Sequence, residues 1–125
     1  MIRETTKWTW HMISGVVVLV FLGLHMLITH FDDVLGWFNP NPGGSVAWEN
    51  VIHRADSLFF PVTYVFLLAA ALYHGFYGLK VIVFELNPSL GFQRTFTGLL
   101  WAVGIILFIV GVATLIVAGG AAGSA

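Results

Sequence analysis

The sequence predicts an all-α integral membrane protein of three transmembrane helices. Three observations predict it: an apolar share of 58%, a charged share of 9% with mean hydropathy +0.92, and three long apolar runs with almost no charge inside them. Soluble domains carry about 25% charged residues, so at roughly a third of that this chain has too few ions to coat a water-facing surface. The missing coat must be lipid or partner protein. A formal net charge of −1 offers no basic field for nucleic acid, which excludes a polyanion-binding role. Cysteine is absent, and with it go disulfides, thiolate catalysis and Cys-ligated zinc or iron–sulfur sites within the chain. Any metal must rest on histidine.

The first run, 12–31 (MISGVVVLVFLGLHMLITHF), holds no charged residue and has the length that spans hydrocarbon. A cleaved signal peptide would have a shorter apolar region and a small-residue cleavage site, whereas Asp32, Asp33 and then Trp37 follow here. The segment 38–45 (FNPNPGGS) cannot continue a helix and marks an exposed loop. The second span is expected over 58–84, with Pro61 in the tolerated first turn, and the third over 96–118. Between them Asn87, Pro88 and Gly91 make a turn too short for a domain, so the chain is one unit, 1–125, whose three helices pack as neighbours.

Arg3 and Lys7 precede the first span and Lys80 and Arg94 flank the second turn, while the long first loop carries only Arg54 against Asp32, Asp33, Glu49 and Asp56. The basic side stays in the cytoplasm, which places the N-terminus inside and the C-terminus outside. Gly98, Gly104 and Gly111 thin one side of the third helix and admit a neighbour. Trp8, Trp10, Trp37, Trp48 and Trp101 read as interfacial anchors. The tail AGGAAGSA reads as frayed low complexity.

The chemistry is concentrated in the histidines. His25 and His74 lie far inside apolar segments, where a lone polar ring is costly and needs a partner. At about 100° per residue, His11, Ser14, Gly15, Val18 and His25 share one stripe of the first helix, and that stripe faces protein. The same arithmetic groups Leu67, Ala70, His74, Gly78, Val81 and Glu85 on the second. Gly78 then clears a flat gap one turn from His74, which is what a planar macrocycle needs beside an axial ligand, and neutral imidazole is a standard iron ligand. The plain alternative for either ring is an interhelical hydrogen bond without metal. His30, near the outer interface, and His53, in a polar loop, are left unassigned.

Two stretches carry a family resemblance. WHMISGVVVLVFLGLHMLITHF resembles the first helix of the cytochrome b membrane-anchor subunits of succinate dehydrogenase and fumarate reductase, whose motif is His-Arg-x-Ser-Gly; here it reads His11-Met12-Ile13-Ser14-Gly15. LYHGFYGLKVIVFEL is similar to their second-helix motif, a haem-ligating His followed at the fourth residue by Gly, then a basic and an acidic residue. His74, Gly78, Lys80 and Glu85 fill those places in order. The sequence departs from the pattern at Met12, where the family has Arg, at Glu85, where it has Asp, and at Leu86, where one anchor type carries a quinone-contacting Tyr. His11 and Ser14 lean toward the type named the large cytochrome subunit.

The resemblance implies half of a heterodimeric anchor bundle in a prokaryotic cytoplasmic membrane, paired with a second membrane-anchor subunit. It implies an iron–sulfur subunit and a flavoprotein as further partners, which hold the iron–sulfur clusters and FAD. Its implied role is to bind one or two haem b groups and form the quinone site of a succinate:quinone oxidoreductase, passing electrons to the quinone pool without itself performing succinate chemistry. His74 and His25 are the implied iron ligands, with Gly78 and His11 beside the cofactor, and Trp8, His11, Ser14 and Glu85 the implied quinone contacts. His25 stands about 14 residues, or roughly 21 Å, above His11, and His74 about 11 residues, or roughly 16 Å, above Glu85. The two levels differ, so His74 is expected to ligate an inner haem with its second ligand from a partner, and His25 to serve an outer one. The rivals are a haem-free anchor of the same family, a cytochrome b subunit of another respiratory complex, and a small transport or structural membrane protein.

Overall fold

A computed structural model of the chain describes residues 2–31 and 40–122, with side chains over 5–30 and 40–120; all described regular structure is helical. Asp32, Asp33 and Trp37, and the first two residues of the expected loop 38–45, lie outside the described residues. Helix α1, Ile2–Met26, begins ten residues before the apolar run does. Hydropathy marks only the hydrocarbon depth, and since nothing between Ile2 and His11 breaks a helix, the backbone keeps winding through the interface. Its last turn loosens into a π-helical segment, Leu27–Phe31, where the Thr29 hydroxyl donates to the His25 carbonyl at 2.8 Å.

The loop that follows contains a helix the sequence reading lacked, α2, Trp48–Asp56. Gly43 and Gly44, at φ 105° and 74°, turn the chain where a side chain would be strained. Asn50, fully buried, then ties the turn together: its Oδ1 accepts from the backbone N–H and the Nδ2 of Asn41 at 3.0 and 3.1 Å, and its Nδ2 donates to the carbonyls of Asn41 and Gly44 at 2.9 and 2.8 Å. One turn later the buried Arg54 donates to the Ser45 carbonyl at 2.6 Å. A nine-residue helix would be marginal in water, and side-chain bonds of this kind supply what length does not.

Helix α3 runs Phe59–Glu85 and α4 runs Leu90–Ala122. Their connection is short because each end is capped. Asn87 takes the left-handed conformation, φ 51°, its N–H donating to the Phe84 carbonyl at 3.0 Å, and the Ser89 hydroxyl accepts from the Phe92 N–H at 3.4 Å. At 33 residues α4 extends beyond 96–118 at both ends, and the tail read as frayed is helical through Ala122. All three spans are long and apolar enough to cross a bilayer: Thr5–His30, Phe59–Glu85 and Leu90–Gly120.

The spans pack antiparallel in a row, not a triangle. Helix α3 touches both α1 and α4, α2 rests on α4 and α3, and α1 and α4 do not meet among the described residues. Small residues set the seams. A Cβ on Gly104 would lie 2.9 Å from the Phe76 ring and one on Gly111 would strike Leu68, so both glycines admit α3 side chains, whereas Gly98 faces open space. The three spans thus pack as neighbours in chain order, α1 on α3 and α3 on α4. Phe60 and Ala118 are the only buried apolar side chains among the described residues, and the outward faces are largely apolar, with Lys7, Glu85 and Arg94 exposed near the helix ends, a surface that lipid tolerates and water would not. Trp8, Trp10, Trp48 and Trp101 all point outward.

Candidate functional site

The seam between α1 and α3 holds the polar chemistry of the membrane interior. The rings of His11 and His74 stack with centroids 4.2 Å apart and planes 10° from parallel, and Tyr77 tilts against His11 at 4.9 Å. Two glycines make room, each for the histidine of the other helix. A Cβ on Gly15 would stand 3.0 Å from Cε1 of His74, and one on Gly78 would stand 3.5 Å from Cε1 of His11. The gap at Gly78 is thus beside His11; the glycine beside His74 is Gly15, on the facing helix. A single-helix pattern shows Gly78 one turn from His74 but cannot show which ring crosses from the neighbour.

Hydrogen bonds fix the upper ring. His74 Nδ1 lies 3.2 Å from the carbonyl oxygen of His11 and 3.4 Å from Oγ of Ser14, whose hydroxyl donates to that same carbonyl at 2.7 Å. A carbonyl only accepts, so this pairing requires the proton on Nδ1 and leaves Nε2 of His74 with its lone pair. Nε2 makes no hydrogen bond among the described residues. Ser14 is buried, as a hydroxyl serving two partners across a seam should be. His11 Nδ1 is buried without a partner among the described residues. A lone buried nitrogen of this kind costs stability unless something else satisfies it.

His25 lies elsewhere. Its ring meets Tyr64 edge-on at 5.3 Å and its Nδ1 is also buried without a partner. Tyr64 precedes His74 by ten residues, or about 15 Å of helix, so His25 and His74 stand at different levels and cannot hold one iron between them. The nearby cavity, lined by Leu24, Ile28, Phe60 and Tyr64 among others, is ≈ 20 Å³, room for a water and nothing larger. His30 and His53 are exposed.

Below the stack an open cleft of ≈ 490 Å³ is lined by Lys7, Tyr77, Lys80, Val81, Phe84 and Glu85. Glu85 therefore sits with two lysines at the helix ends, apart from Ser14. Trp8 is 59% exposed and does not line the cleft. The Tyr73 hydroxyl donates to the Lys7 carbonyl at 3.2 Å, tying the two helices at this depth. Tyr73, Tyr77, Lys7 and Gly15 are the site residues that sequence reasoning did not assign. Tyr77 was within reach, since it stands three residues from His74 and faces the same seam. Among the described residues no group of three or more His, Cys, Asp or Glu side chains is placed to hold a metal ion.

Fold and site together define a polytopic membrane protein with an imidazole-bearing contact between two spans. The chain is similar to the succinate dehydrogenase hydrophobic membrane anchor subunit of Archaeoglobus fulgidus, at 24% identity over 89 residues, covering 71% of this chain and 68% of that protein. No family model and no solved structure matches the chain.

Proposed function

We propose that the chain is a haem b-binding, quinone-site-forming membrane anchor of a succinate:quinone oxidoreductase, of the large cytochrome subunit type. The observation that carries the reading is the state of His74: a half-buried imidazole with Nδ1 turned to a backbone carbonyl and Nε2 left over. That is the arrangement of a metal-ligating histidine, in which a carbonyl bonded to the other ring nitrogen fixes tautomer and ring orientation. A ligand bond lies in the plane of the imidazole, so the His11 ring stacked on its face does not obstruct it. The distant relative, named as a succinate dehydrogenase anchor, supports the family, and the three spans support the membrane placement.

The donor set would fit a haem at His74 with any further ligand coming from a partner, because His25 is at another level and His11 is stacked face to face on His74. His74 would hold the iron, with His11 and Gly78 beside it; His25 would serve an outer haem, its Nδ1 having no partner among the described residues. A bound haem would supply one-electron transfer between an iron–sulfur subunit and the quinone pool. The residues of the chain orient and exclude. Ser14 and the His11 carbonyl hold the His74 ring, Gly15 lets it approach, and the apolar spans keep water from the pair. His11 Nδ1 is the group whose missing partner a quinone carbonyl would satisfy, with Ser14 behind it, and Glu85 at the helix end is the ionisable group from which protons would come. Trp8, facing outward, would wall the ring from the lipid side.

The partners of this reading are a second membrane-anchor subunit, an iron–sulfur subunit and a flavoprotein, with the N-terminus in the prokaryotic cytoplasm. The open row of helices, with α1 and α4 apart, suits one half of a larger bundle. Reduced-minus-oxidised spectra with pyridine-haem quantitation test it. A b-type signal is expected in the purified complex and its loss in His74→Ala; full haem retention in that variant ends the proposal. A second reading, a haem-free anchor, is favoured by the same hydrogen bonds of His74, which already give the ring a partner, and it predicts no Soret band.

A further inference from the structure

We propose that α2 and its flanks, residues 46–59, form an interfacial segment seated in the boundary between headgroups and acyl chains, so that its partner is the bilayer surface on the side opposite the N-terminus. The inference is independent of haem or quinone. Depth comes from α3. Between its start at Phe59 and Lys80 that helix carries no Asp, Glu, Lys or Arg, and the stretch rises roughly 30 Å at about 1.5 Å per residue, the thickness of the hydrocarbon core. With Lys80 at one boundary, Phe59 stands at the other. Helix α2 ends at Asp56, so only Ser57 and Leu58 separate it from that boundary. A segment tethered so closely, and packed on α3 and α4, stays at headgroup depth.

The groups of α2 divide as an interface requires. At about 100° per residue Trp48, Val51, Ile52 and Ala55 share one face and Glu49, His53 and Asp56 the edge beside it, with the buried Asn50 and Arg54 behind. Trp48 is exposed, and at the two ends of the segment Val46 is 86% and Leu58 82% exposed. Phe59, Val62 and Phe66 then continue the exposed apolar surface along one face of α3 into the hydrocarbon. A soluble partner would cover Leu58 and Phe59 only by pushing lipid from the head of a span. Helix α2 exposes Glu49 and Asp56 and no Lys or Arg, so its contact with the membrane is one of apolar area, and zwitterionic lipid suffices.

Spin labelling of the full chain in phosphatidylcholine nanodiscs tests it. The chain has no cysteine, so each substitution creates a single label site. The ratio of collisions with oxygen to collisions with a water-soluble nickel chelate should be about fivefold higher for labels placed by Trp48→Cys and Leu58→Cys than by Glu49→Cys and His53→Cys, since the first pair lies about 5–10 Å into the boundary and the second faces water. Val16→Cys, at an exposed mid-span position, sets the value for hydrocarbon. High salt should leave the pattern unchanged, because no charge pair carries the contact. Leu58 stands almost wholly clear of the protein, so Leu58→Cys decides should Trp48→Cys fail to fold. Equal ratios at all four sites overturn the proposal, as does loss of the pattern in high salt. Labels at Trp48 and Leu58 closed to both reagents, in the chain alone or after reassembly with its native partners, would mark cover by protein and overturn it as well.

Discussion

The imidazole of His74 lies flat on that of His11, 4.2 Å away, while the backbone carbonyl of His11 faces Nδ1 of His74 at 3.2 Å. One residue of α1 thus supplies both a wall and an anchor for the ring on α3. The contact works only because a glycine stands opposite each ring, and four expectations rest on these seams and on the α2 segment.

Gly15→Val puts branched carbon where even a Cβ would lie 3.0 Å from the His74 ring, so the ring must turn out of its bond with His11. Haem content of the purified complex should fall toward that of His74→Ala. Gly23→Ala, on the same helix with nothing within 4 Å of its Cβ, should leave haem content unchanged. Equal haem in Gly15→Val and the parent chain would contradict the seam.

Ser14→Ala removes a hydroxyl that bridges the His11 carbonyl and His74 Nδ1, and His11→Ala removes the stacked ring. The pair acts as one unit, so the double variant should lose about as much quinone reductase activity as the worse single one. Activity that survives both substitutions argues against a quinone contact here.

Gly104→Ala meets a stiff Phe76 ring at 2.9 Å, whereas the Cβ of Gly111→Ala meets the end of a Leu68 side chain that can rotate away. Overpacking at Gly104 is expected to cost about 1–3 kcal/mol and at Gly111 less. Thermal unfolding in detergent, with the two variants side by side, checks the order.

Asn50→Ala strips four hydrogen bonds from a fully buried position and leaves Asn41 and Gly44 with unmet groups. A loss of about 1–3 kcal/mol is expected, seen as faster proteolysis of the loop that carries α2 and a lower unfolding temperature. The transmembrane spans should keep their helical circular dichroism.

How much of this was legible varies by element. The stripe His11, Ser14, Gly15, Val18 and His25 was readable from angular spacing alone, and the structure turns that stripe toward α3, with Ser14 buried and the rest half-buried. Helix α2 was not legible. Its nine residues have little apolar content, and what holds it is an asparagine bonded to residues six and nine positions away, a pattern hydropathy does not register. The starts of α1 and α4 were placed late because apolarity reports where lipid is, while a helix ends only where a cap or a proline ends it.

The sequence by itself determined three apolar spans, the absence of any cysteine ligand for a metal, and which side of each span carries polar groups, because hydropathy and angular spacing are properties of one segment at a time. Only the tertiary structure decided that Gly15 serves His74 and Gly78 serves His11, that His25 stands a level away beside Tyr64, and that Lys7 meets Lys80 and Glu85 across a cleft. Those pairings depend on the register between antiparallel helices, and register is set by how side chains of one fill the gaps of the other.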